Sequence, residues 1–139
     1  MKKYRFLEHT ADALFEAFGR SFEELLINSA KAMCFVMYEP EKVEPKEKIL
    51  VKVRGENNEV LLHNFLSAVL FEIQSREMIF KKFKILSCSR QYAEIELQGE
   101  KIDREKHELK SDIKAVTWHE FFVKAEEEDK WIARVLIDV

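Results

Sequence analysis

Ala13-Leu14-Phe15-Glu16-Ala17-Phe18-Gly19-Arg20-Ser21-Phe22-Glu23-Glu24-Leu25-Leu26 is where the chain changes its period. Residues 13–18 form a strand-like run that ends at Gly19, and Gly19-Arg20 reads as a turn. Ser21 and Glu24 then make a capping box, in which hydroxyl and carboxylate each satisfy an orphan amide at a helix start. Phe22, Leu25, Leu26, Ser29, Ala30, Met33 and Met37 follow at helical spacing, which predicts a helix to about residue 37.

Working outward, Tyr4 and Phe6 alternate with Arg5 and Leu7, so a first strand is expected through Leu7. The polar tetrapeptide His9-Thr10-Ala11-Asp12 separates it from the second. Pro40 and Pro45 bracket a charged connection over residues 39–48, and residues 49–54 alternate as a strand with one wet face. Asn57 or Asn58 caps a helix over residues 59–76. Its apolar side chains cover most of the circumference, which predicts the central, most buried helix.

Residues 83–88 and 93–97 alternate on either side of Arg90-Gln91 and are expected to pair as a hairpin. Residues 99–111 are polar and without period. Two last strands are predicted over residues 113–124 and 131–139, joined by the charged turn 126–130. No internal repeat is present. This order predicts an α+β fold, a mixed or antiparallel sheet packed by two helices, as one domain over residues 1–139.

Composition removes several classes. With 47% apolar and 35% charged residues, the chain is neither disordered nor built for a bilayer. No apolar run approaches the roughly 20 residues a span requires. Residues 1–8 are too polar for a signal-peptide core. A net charge of −3 offers no broad basic surface, so stable binding of nucleic acid by the chain alone is not expected. Cys34 and Cys88 stand alone and read as reduced, buried thiols in a cytoplasmic protein.

Two constellations carry possible chemistry. Asp12 and Asp138 are polar breaks at the ends of apolar runs, and with the terminal carboxylate of Val139 they offer hard oxygen donors suited to Ca²⁺ or Mg²⁺. The competing reading is a turn bond for Asp12 and a solvated tail for Asp138. In Ile113-Lys114-Ala115-Val116-Thr117-Trp118-His119, Lys114 has the chemistry to hold a phosphate or a carboxylate, or to serve as an edge lysine that discourages aggregation. His119 has the chemistry of a base or a ligand, and reads first as a half-buried histidine bonded to a main-chain carbonyl. Asp103 and His107 are four apart, in a segment not convincingly helical. No Walker, G-x-S-x-G or G-x-G-x-x-G pattern occurs, so catalysis by the chain alone has no motif behind it.

Taken together, His9-Thr10-Ala11-Asp12, Gly19, the Glu-Glu-Leu of the first helix, Leu61-Leu62 to Leu70, Gly99-Glu100 with Asp103 and His107, Ile113 to His119, and Asp138-Val139 resemble the archease family across the whole chain. The departure is Trp118, where the family more often has Tyr. The resemblance implies an activator of the RtcB-type tRNA-splicing RNA ligase rather than an enzyme. Such a protein promotes ligase guanylylation and multiple turnover, and broadens nucleotide use. It also implies an α+β fold with a strand-helix-strand-strand module carrying an insertion, and a divalent cation, calcium foremost, held by Asp12, Asp138 and Val139, with Lys114 essential nearby. The alternatives are a general chaperone-like adaptor and, behind it, a metal-dependent hydrolase.

Overall fold

The change of period at Gly19 is a change of element. The computed structural model describes residues 2–9 and 12–139. Strand β1 (Tyr4–Leu7) pairs antiparallel with β2 (Ala13–Gly19), and helix α1 (Phe22–Met37) follows. The Ser21 hydroxyl accepts from the Glu24 amide at 3.1 Å. The return half of the capping box differs from expectation: the Glu24 carboxylate accepts from the Arg20 amide, not that of Ser21, at 3.0 Å. A 3-10 turn (Pro40–Lys42) leads into β3 (Glu47–Arg54). Asn57 caps α2 (Asn58–Arg76) by accepting from the Val60 amide at 2.9 Å. Next come β4 (Met78–Cys88), β5 (Tyr92–Lys101), β6 (Ala115–Val116), β7 (Phe122–Glu127) and β8 (Lys130–Asp138).

These strands make two antiparallel sheets. One has five strands, ordered β1-β2-β8-β6 with β7 also on β8, and the other runs β3-β5-β4. Both helices touch both sheets and join them through one continuous apolar core. The α+β class and the two helices are as the sequence predicts; the division into two sheets is a tertiary outcome. At Gly99 the β4 main chain comes so close that a Cβ would lie 1.9 Å from the Ile79 carbonyl oxygen, so only glycine fits.

Two expectations are corrected. The predicted strand over residues 113–124 breaks into β6 and β7, because Trp118 to Phe121 turn and Glu120 adopts a left-handed φ of 57°. The more buried helix is α1, with ten of its 16 residues buried against seven of 19 in α2. The apolar residues of α2 spread around its axis, but both sheets lie on one side of it, leaving Phe71 64% exposed.

Candidate functional site

β2 starts where β8 ends. The register pairs Ala13 with Ile137, so Asp12 and Asp138 each lie one step beyond the last paired residues, at the same end of the sheet. From the other side, β6 pairs Ala115 with Asp138 and Val116 with Ile137. The Lys114 amide donates to the Asp138 carbonyl at 2.7 Å, and the Gln74 side chain holds the Ile113 carbonyl at 2.9 Å. Asp12 and Asp138 are both half-buried, and Val139 packs against the core. The sequence-predicted residues therefore gather at one end of the five-stranded sheet. Thr10 and Ala11 lie outside the described residues.

Lys114 joins this site differently from expectation. Its connection to Asp138 is through the main chain, and Ala115 is the direct cross-strand partner of Asp138. Among the described residues, no ion pair links the Lys114 ammonium to either carboxylate. Nor do three His, Cys, Asp or Glu side chains cluster as a ready cation cage among the described residues. Two carboxylates and main-chain oxygen make a donor set of hard-cation type, which water would have to complete.

Beside it on the sheet face lies a charge network that sequence reasoning missed. Glu16, 3% exposed, accepts from Arg5 Nε at 2.9 Å and from Arg134 Nη2 at 2.8 Å. Arg134 continues to Glu120 at 3.5 Å, and His9 lies 3.8 Å from the same carboxylate group. Burial pushes the Glu16 carboxyl up, but the two guanidiniums outweigh it and hold it below its ordinary range. The signal was present: one acid in the middle of an otherwise apolar strand.

A second cluster gathers around Glu100. Its Oε2 accepts from the Glu44 amide at 2.6 Å and lies 3.0 Å from both His107 Nε2 and Lys106 Nζ. The His107 Nδ1 accepts the Asp103 amide at 2.9 Å, which makes Nε2 the protonated nitrogen that donates to Glu100. Asp103 and His107 do meet, in a single turn closed by the His107 amide on the Asp103 carbonyl at 2.7 Å. Burial works to raise the Glu100 carboxyl, yet these donors bring it down from 4.5 to about 2. The cluster clasps the 102–112 segment that leads into Lys114.

The half-buried, carbonyl-bonded histidine is His63, not His119. His63 Nε2 bonds the Val116 carbonyl at 3.0 Å, and its ring stacks on Trp118 with centroids 3.8 Å apart and planes at 5°. Burial pushes the His63 imidazole below its ordinary 6.5, against the pull of that carbonyl. His119 is exposed on the turn after β6. Cys34 is buried and pushed up to about 12 by that burial, while Cys88 is half-exposed; both thiols are free. No helix among the described residues is long and apolar enough to cross a membrane.

Comparison with known proteins matches the chain and its fold to a family. The profile described as the archease protein family (MTH1598/TM1083) matches residues 4–139. A protein archease of Pyrococcus abyssi is 36% identical over 142 residues, covering 100% of both chains. Another, of Sulfurisphaera tokodaii, is 38% identical, covering 89% of this chain and 90% of its own. The solution structure of protein 1598 of Methanobacterium thermoautotrophicum superposes with a TM-score of 0.83 at 34% identity, covering 100% of each chain. A crystal structure of a Thermotoga maritima archease, described as a possible chaperone, shares the fold at a TM-score of 0.63 and 23% identity, covering 96% of this chain and 94% of its own.

Proposed function

The chain belongs to the archease family, and we propose that it activates an RtcB-type tRNA-splicing ligase, promoting its guanylylation and repeated turnover and widening its choice of nucleotide. The observation that carries this reading is that the start of β2 next to Asp12, the end of β8 at Asp138 and the Lys114 main chain share one sheet end, within a match that spans the chain. It works on another protein rather than as an enzyme of its own. The free thiols of Cys34 and Cys88 suit the cytoplasm, where such a ligase would act.

The donor set fits a hard divalent cation, with Asp12 and Asp138 supplying carboxylate oxygens and Val139 main-chain oxygen. Calcium is the first ion to test, ahead of magnesium and manganese. Bound there, the ion would supply positive charge near an anionic nucleotide. The chain's own part is positional. The β2–β8 pairing holds together the strand ends next to the two acids, and the Lys114 amide pins the strand end that carries Asp138.

Ligation by purified ligase with RNA in excess, with and without this protein, tests the reading. Wild type is expected to convert single-turnover joining into many rounds, and Asp12→Ala and Asp138→Ala to lose that effect while remaining folded. Undiminished turnover with a folded double variant would sink the role of the acids. Equal stimulation of unrelated clients would favour the general chaperone-like adaptor instead. Nucleotide hydrolysis by the protein alone, with calcium, magnesium or manganese, would favour the hydrolase.

A further inference from the structure

Helix α2 turns an uncharged side to solvent in a chain that is 35% charged. At 100° per residue, Val60, Asn64, Ser67, Phe71, Gln74 and Ser75 line the side opposite the buried Phe65, Leu66, Val69 and Ile73. None of the six carries a charge, and Phe71 stands 64% exposed among them. An exposed helix face that serves only solubility is normally where lysine and glutamate collect.

The flank of this crest is built. His63 on Val116 and Gln74 on Ile113 lay the segment from 113 to 116 along α2. Trp118 continues past it, its ring face on His63 and Phe121 edge-on at 5.2 Å, and still it is 53% exposed. Phe71 lies eight residues from His63, about 12 Å along the helix. Two large exposed aromatics thus flank the small Ser67, with Lys114 on the neighbouring segment. Interface centres have this composition, depleted of charge and anchored by aromatics. A tryptophan already stacked in place gives up little rotamer freedom when a partner covers it.

We propose that the α2 crest with the Trp118–His63 stack is the docking surface for the ligase, a folded partner that meets it with an uncharged, apolar surface. This rests on the activator reading above. Continuity selects that occupant. The segment edging the crest is the one whose Lys114 amide holds Asp138, so a partner seated here lies against the candidate site. A second copy seated there would cover the same edge in both molecules and shut the ligase out.

The test is ligase stimulation titrated against protein concentration, using Phe71→Glu, Ser67→Arg and Trp118→Ala with their folding checked by circular dichroism. The first puts charge on an exposed position and the second on a half-buried one, and neither side chain belongs to the core. The concentration for half-maximal stimulation is expected to rise roughly tenfold or more, as for loss of an interface anchor, with the saturating effect kept. Asp138→Ala, by contrast, should lower the saturating effect without moving the midpoint. Unchanged midpoints in Phe71→Glu and Ser67→Arg overturn the docking surface and leave the activator reading standing. No stimulation by wild type overturns both. A wild-type dimer in sedimentation equilibrium that Phe71→Glu dissociates would assign the crest to self-association and overturn the proposal.

Discussion

The main-chain amide of Lys114 donates to the main-chain carbonyl of Asp138 at 2.7 Å, so the two residues are joined whatever the lysine side chain does. This separates the structural part of Lys114 from its chemical part. Lys114→Met keeps the amide and is expected to stay within about 0.5 kcal/mol of wild type in urea unfolding, while lowering ligase stimulation. Lys114→Pro removes the donor and leaves the Asp138 carbonyl short of a partner. It should cost about 1–3 kcal/mol. Coincident unfolding curves for the two variants would show that the bond does not secure the sheet end.

Glu16 holds two guanidiniums against the sheet, and its removal leaves Arg134 with Glu120 alone and takes from Arg5 the acid it pairs with. Closed ion pairs lose about 3–5 kcal/mol when one partner goes. Here the Arg5 and Arg134 side chains are 53% and 31% exposed and can rehydrate. Glu16→Ala is therefore expected to cost less, about 1–3 kcal/mol in urea unfolding. Adding Arg134→Ala should cost less than the sum of the single changes. Strict additivity would show that the pair does not act as a unit.

The Glu100 clasp predicts a specific acid dependence. Its carboxyl is held at about 2 in the folded chain, below the ordinary 4.5. A group depressed by folding adds stability above its unfolded value and loses it as pH falls toward its folded value. The stability gap between wild type and Glu100→Gln should be full above 4.5 and close as pH falls toward about 2. A gap that stays constant over this range would rule out the carboxylate as its source.

The His63–Trp118 stack reports its own titration. In a Trp131→Phe background, Trp118 emission should drop as His63 takes up a proton, with a midpoint below 6.5 because burial disfavours the charged ring. His63→Gln should abolish the change, and His119→Gln should leave it. A midpoint at or above 6.5, or its loss in His119→Gln, would contradict the stacked, half-buried assignment.

Local pattern was enough to lay out the elements. The handover at Gly19, the Asn57 cap and the alternating strands all lie in contacts a few residues apart, which period and turn chemistry record directly. The opening of the strand at Trp118–Phe121 was not legible, because no Gly, Pro, Asn or Asp marks the turn in sequence and only the left-handed Glu120 reveals it. Glu100 and His107 stood out as residues, but their clasp needs Glu44 from a distant segment.

The sequence by itself determined that Asp12 and Asp138 interrupt apolar runs and that α2 is apolar on nearly every side. Only the tertiary structure decided that the two acids share one sheet end, because pairing Ala13 with Ile137 is a register between opposite ends of the chain, stabilised by core burial on one face of β8. It also decided which side of α2 stays open. Periodicity records where apolar side chains point, whereas burial depends on what the two sheets leave uncovered, and they leave Phe71 to solvent.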